Sequence, residues 1–299
     1  MGITRFGVSI HQTTPASELV ARWRHAEDLG FDDIWVADHL QYPERVQLEA
    51  WTTLGALARE TSRVRIGVLV TQITFRPPAL VAQMAIAVDH LSGGRVEFGI
   101  GAGGGPKDDS AAGVDAWTPG ERVERLEEQC LILVRLLRGE ELEHEGRHYR
   151  VRGRVAAPVQ HPRPPLVVAA NGPRSLGVVA RHADAWNTLG GRPQGALPNV
   201  TLDEALAETR RQCGILDERC REIGRDPRSV RRSLLAFRAE PDPLASPDAF
   251  AEYVERYGAL GIDELVAVWP VTVGLGAGEH AARLAVLERV AADVLPRYR

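Results

Sequence analysis

Lysine is almost missing from this 299-residue chain: of its 36 basic residues, only Lys107 is not arginine. A Schiff-base mechanism therefore has one candidate, and that lysine falls in a glycine-rich, charged loop rather than on a desolvated strand, which argues against aldolase-type chemistry. Cysteine is scarce as well, with three residues. Cys213 and Cys220 stand seven positions apart on one predicted helix, roughly 10 Å along its axis and too far to bridge. Without a C-x-x-C pair the thiols are expected to be buried spectators, and no metal centre is expected. A G-x-S-x-G elbow, which would present a nucleophilic serine, is also missing. The formal net charge of -4 offers no basic field for nucleic acid or an anionic membrane, so the expected partner is a small molecule. Met1 to Val8 run straight into a strand-like segment without a basic stretch and long apolar run, and a cytoplasmic location is expected.

What the chain does have is rhythm. Hydrophobic residues make up 44% and charged residues 25%, enough for a substantial core. Segments rich in Val, Ile and Phe alternate with amphipathic helical patterns from end to end, as in repeated βα units around a parallel sheet. The predicted strands are 4–10, 33–37, 65–70, 96–100, 166–170, 185–188, 230–239 and 264–268. Their helices are 15–29, 48–60, one opening at Pro77 and Pro78, 121–138, 175–182, 202–223, 247–260 and 279–294, with a hairpin at 142–152. Nearly twenty residues after the fourth strand read as a polar loop. No composition break marks a second domain, so 1–299 is read as one α/β domain, a (β/α)₈ TIM barrel, with a doubly wound open sheet as the rival.

In such barrels chemistry sits at the carboxyl ends of the strands. His11 follows the first strand, Asp38 and His39 the second, Thr71 and Gln72 the third, and Gly101 to Gly105 the fourth. An imidazole at such a mouth can move protons near neutrality, although an Asp-His pair in a loop is more often a cap beside a solvated ring. The run Gly99 to Gly104 matches G-x-G-x-x-G by letter. It lacks the helix that must follow at once to receive a pyrophosphate, so these glycines read as room for a ligand ring against backbone. At Ala170-Asn171-Gly172-Pro173-Arg174 a buried strand does turn directly into a helix. Its N–H groups and dipole favour an anion, and Arg174 adds charge; an ordinary turn with a solvent-facing Arg is the competing reading. Gly274 to Gly278 precede the last helix, but Glu279 in its first turn would repel phosphate, and a flexible loop is preferred. Trp51 reads as core. His11, Gln72 and the stretch from Lys107 to Trp117 are candidates for the substrate pocket.

Taken together, several segments resemble the luciferase-like family of flavin- and deazaflavin-dependent oxidoreductases. They are Phe31 to His39, Gly67 to Val70, Thr74 to Leu80, Asp89 to Arg95, Gly99 to Gly103, Glu145 to Tyr149 and Ala183 to Asn187, in the family's order. The Asp38-His39 pair followed by Leu40 is similar to the branch that uses coenzyme F-420 (F420), a 5-deazaflavin; users of flavin mononucleotide (FMN) share the barrel. The resemblance implies a non-prolyl cis peptide joining Leu69 to Val70 behind the ring. It further implies ring contacts from Asp38, Thr71 and Gly101-Ala102-Gly103, and phosphate binding from Ala170 to Arg174. His39 becomes the candidate proton donor, with Asp38 beside it. Gly104 stands where the sugar-phosphate dehydrogenase branch carries a catalytic glutamate, which argues against that substrate class. The expected reaction is hydride transfer between F420 and a small organic substrate. The alternatives are an FMN-dependent monooxygenase and a flavin-binding barrel without turnover. Relatives also suggest a homodimer.

Overall fold

The computed structural model describes residues 2–12, 15–40, 47–103, 105–191, 200–237, 239, 241–270 and 277–299. Its strands are β1 (Arg5–Ser9), β2 (Asp33–Val36), β3 (Arg65–Val68), β4 (Thr71–Gln72), β5 (Val96–Gly101), β6 (Leu142–Glu145), β7 (Arg150–Gly153), β8 (Leu166–Ala169), β9 (Ala185–Thr188), β10 (Arg231–Leu235) and β11 (Glu264–Val268). All pair in parallel except the β6–β7 hairpin, in the order β3-β2-β1-β11-β10-β9-β8-β5-β4. A further β3–β5 pairing, Ile66 opposite Val96, closes the ring. The third stave is thus split into β3 and β4, and the bond between them, Leu69–Val70, is cis, as the resemblance implies. Eight parallel staves with intervening helices make the expected (β/α)₈ barrel, and the open-sheet rival is set aside.

The helices are α1 (Ala16–Asp28), α2 (Ala50–Glu60), α3 (Pro78–Ser92), α4 (Pro106–Ala111), α5 (Pro119–Leu136), α6 (Pro173–His182), α7 (Leu202–Glu222), α8 (Pro247–Gly258) and α9 (Ala277–Arg289), the last running on through a π turn to Val294. Five of them open on proline, where a fixed φ suits the first turn and the missing N–H is no loss. The stretch read as a polar loop after the fourth strand contains α4, and the long helix starts at Pro119, two residues before the predicted Glu121. Strand 230–239 shortens to 231–235. Among the described residues no helix is long and apolar enough to cross a membrane.

Alternation along each strand divides the interior in two. Phe6, Val8, Ile34, Val36, Ile66, Val68, Val96, Phe98, Leu166 and Val168 belong to the shell packed under the helices, together with Trp51. Burying side chains of that size contributes about 1.5–3 kcal/mol each. The alternate positions point into the barrel, where Trp35, Leu69, Val167, Ala185 and Val266 form a separate buried cluster. Trp35 takes so much of that space that a β-carbon on Gly67 would collide with its ring. The three free cysteines are buried, and burial pushes the Cys130 thiol up, which fits inert packing.

Below Trp35, at the amino ends of the strands, the barrel is floored by charge. Arg5 holds Asp33 through two contacts, one of 2.7 Å, and reaches Glu97 Oε1 at 2.6 Å. Arg65 donates to the same oxygen at 2.7 Å, and Arg231 grips both oxygens of Glu97. Burial alone would raise Glu97, but Arg231, Arg5 and Arg65 overcome it and hold the carboxyl at about 2. Glu264 has Arg231 Nε at 3.3 Å and Arg5 Nε only at 3.9 Å. Burial, then neighbouring Asp33, push it up to about 8.

Candidate active site

The opposite rim is built where β2, β4 and β5 end. Past β2, Ala37 is clamped by the buried Gln12 amide, which accepts from Ala37 N at 3.2 Å and donates back to its carbonyl. This fixes the direction in which Asp38 leaves the strand. The Asp38 carboxylate, 3% exposed, accepts from Gln72 N at 3.0 Å and from Arg76 Nη1 and Nη2 at 2.7 and 3.0 Å. Arg76 is held in turn by Glu49, whose carboxylate caps α2 by accepting from Trp51 N and Thr52 N. With three donors, two of them charged, this carboxylate ties the end of β2 to the start of β4 and to Arg76.

His39 is the next residue, with its side chain 38% exposed. Its Nδ1 lies 2.7 Å from Asp108 Oδ2, and Asp108 Oδ1 accepts from Leu40 N at 2.8 Å. Gln72 Nε2 donates to Asp38 O at 2.6 Å and reaches Asp108 Oδ2 at 3.3 Å. Asp38, His39, Gln72 and Asp108 are therefore one connected group drawn from three segments. The neighbouring Asp109 pairs with Arg122, which also donates to Ala102 O at 3.3 Å. Sequence reasoning named the first three of these residues, held Asp108 only within the Lys107 to Trp117 stretch and gave it no role, and missed Arg76 and Arg122. The Gly105-Pro106 step followed by acids was the local signal for α4.

The glycine run has two jobs. A β-carbon on Gly101 would lie 2.5 Å from Val70 Cγ2, and one on Gly99 would strike the Val68 carbonyl, so both glycines admit the bent third stave. Gly103, at φ +67, takes a backbone conformation that favours glycine. Gly104 lies outside the described residues, as do Gly274 and Gly276. The register runs Gln72, Gly101, Ala169, Asn187 across four neighbouring strands, linking the His39 side of the rim to the α6 turn. There Trp186 Nε1 donates to Ala170 O at 2.8 Å, Gly172 is the N-cap of α6 and Pro173 its first residue. The Arg174 side chain is 65% exposed, with Glu124 at 3.7 Å. His11, past β1, is buried and stacks on Phe237 beyond β10, ring centroids 6.2 Å apart. Trp51 packs in the core on Phe98.

Three buried polar atoms of the third stave, Thr71 Oγ1, Gln72 Oε1 and Thr74 Oγ1, have no hydrogen-bond partner. A β-carbon on Gly103 would sit 3.1 Å from the second and 3.4 Å from the third, with Arg122 Nη1 at 3.3 Å, so these two gather round that glycine. Such atoms cost about 1–3 kcal/mol each when left unmatched. A flat ligand with a hydrogen-bonding edge would satisfy them, and the residues present fit a flavin or deazaflavin ring. His144 and His148, four apart, lie on the β6–β7 hairpin and pair separately with Glu128 and Glu124. Among the described residues no group of three or more His, Cys, Asp or Glu is arranged to hold a metal.

The model of the luciferase-like monooxygenase family matches residues 3–240. The chain belongs to that family. This luciferase-like barrel is 31% identical over 195 residues to the F420-dependent glucose-6-phosphate dehydrogenase of Microbacterium testaceum, covering 62% of this chain and 57% of that protein. The chain thus spans little more than half of that relative. Against the enzyme of the same name from Intrasporangium calvum it is 29% identical over 332 residues, covering 94% of this chain and 95% of the relative. Among solved structures, the coenzyme F420 dependent tetrahydromethanopterin reductase from Methanopyrus kandleri superposes with a TM-score of 0.78 at 17% identity, covering 99% of this chain and 100% of that one. At that identity the likeness concerns the fold.

Proposed function

We propose that the protein is an F420-dependent oxidoreductase that moves a hydride between the deazaflavin and a small organic substrate carrying a carbinol or carbonyl group. The observation that carries the reading is the joined group of His39, Asp38 and Gln72 beside the unmatched polar atoms round Gly103, in a chain whose relatives bear F420-dependent names. When bound, the deazaflavin supplies the hydride donor or acceptor; the protein supplies position and electrostatics. Leu69, Val70, Thr71, Gly101, Ala102 and Gly103 back the ring. Asp38, through Gln72 and Arg76, keeps the bent stave in place. Ala170 to Arg174 receive the phosphate with the N–H groups opening α6. His39 accepts the hydroxyl proton of an alcohol or donates one to a carbonyl oxygen. His11 and Gln72 line the substrate side.

Membership of the luciferase-like monooxygenase family favours a second reading, an FMN-dependent monooxygenase on the same residues. Anaerobic titration with both cofactors, followed by turnover of secondary alcohols and ketones with and without oxygen, separates the two. Tight F420 binding and oxygen-independent turnover are the expected results; oxygen-dependent product formation with reduced FMN overturns the first reading. Binding of either ring without any turnover would leave a carrier barrel. By the same reading the enzyme works in the cytoplasm and as a homodimer, which light scattering checks.

A further inference from the structure

We propose that Asp108 is a positioning residue that fixes His39 in one tautomer, so that Nε2 is the nitrogen presented to substrate. The inference rests on the assignment of His39 above. An ionised carboxylate is an acceptor only, so the 2.7 Å contact with Asp108 Oδ2 places the ring proton on Nδ1. Nε2 then carries the lone pair in the neutral ring and a proton in the charged one. The same carboxylate accepts from Leu40 N at 2.8 Å and lies 3.3 Å from Gln72 Nε2, so it cannot rotate away without losing contacts to two other segments. At 3% exposure it is shielded, whereas Lys107 and Ser110 of the same helix face solvent. That difference separates Asp108 from an ordinary first-turn acid.

When bound, the deazaflavin would supply the hydride acceptor; with a carbinol substrate, His39 Nε2 would take the O–H proton and become imidazolium while the C–H hydrogen leaves with its electron pair, so that a carbonyl forms and the electrons balance. Asp108, on the other ring nitrogen, would stabilise that cation. In reverse, Nε2–H protonates the carbonyl oxygen as hydride arrives at carbon. A wrong tautomer would aim a proton where a lone pair is needed, which lowers the chemical step more than binding.

Nitrogen-15 NMR of histidine-labelled, cofactor-free wild-type protein reads the tautomer directly. The proposal requires His39 protonated at Nδ1 and unprotonated at Nε2 in its neutral form, and the opposite pattern overturns it whether or not any variant folds. Asp108→Asn is expected to lower kcat by about 10²-fold or more with KM changed less than about threefold, and Asp108→Glu to recover part of kcat. If Asp108→Asn keeps full kcat while His39→Ala loses it, the positioning role is wrong and the assignment of His39 survives. If His39→Ala also keeps full kcat, both fall.

Discussion

The two ends of this barrel carry buried polar networks of opposite character. At the floor, Arg5, Arg65 and Arg231 converge on Glu97 from three strands, and Arg5 also locks Asp33. At the rim, Asp38 and Asp108 are equally buried, yet Thr71, Gln72 and Thr74 each leave a polar atom unmatched and the His39 ring stays partly open. The floor too keeps unmatched atoms, Arg231 Nε and both oxygens of Glu264, but there opposite charges face each other with Arg231 Nε 3.3 Å from Glu264, whereas the unmatched atoms of the rim are neutral hydroxyl and amide oxygens beside a partly exposed imidazole. On the proposed assignment, the chain uses the amino ends of its strands for stability and the carboxyl ends for chemistry.

The largest effect should come from opening the floor. Glu97→Ala leaves three arginines without their shared carboxylate and is expected to lose about 3–5 kcal/mol of unfolding free energy, read by denaturant titration. Cofactor affinity of the protein that remains folded should hold, and a large loss of affinity would erase the division between the ends. At the rim, His39→Ala should do the reverse: turnover falls roughly 10²-fold or more while the unfolding midpoint barely moves.

Acidity sharpens the contrast further. Glu97, held at about 2, contributes stability that is present above the ordinary glutamate range near 4.5 and is lost as pH falls toward 2. Glu264 works the other way. Its carboxyl titrates at about 8 in the fold, so between about 4.5 and 8 the unfolded chain has shed a proton that the native one keeps, and stability declines as pH rises through that window. Glu264→Gln should flatten the decline in an unfolding series across that range, and an unchanged slope would count against the assignment. The smallest effect belongs to Thr71→Val. With its Oγ1 unmatched, stability should shift by less than about 0.5 kcal/mol, while F420 binding measured by fluorescence weakens by about 1 kcal/mol.

Much of this was legible in the sequence. The β/α rhythm survives because each strand must bury an outward apolar face under its helix, and the rim candidates followed from strand ends alone. The break after Val68 was not, because Leu69 and Val70 continue the apolar run of β3 without interruption; the resemblance, rather than periodicity, pointed to Leu69–Val70. Helix α4 is six residues long and acidic, with no apolar stripe to betray it. Asp108 meets His39 across 69 positions, and Arg76 meets Asp38 across 38, so charge pairing of that kind appears only once the ring has closed. One signal was there to be used. Arg5, Asp33, Arg65, Arg231 and Glu264 each open a strand, and Glu97 stands second in another, a recurrence that marks the floor.

The shortage of lysine has a practical side. Lys107 is exposed, alone of its kind among the side chains, and adjacent to Asp108 on α4. An amine-directed dye coupled to that side chain would sit as a solitary beacon beside the rim, and its emission would follow the arrival of ligands without any engineered handle.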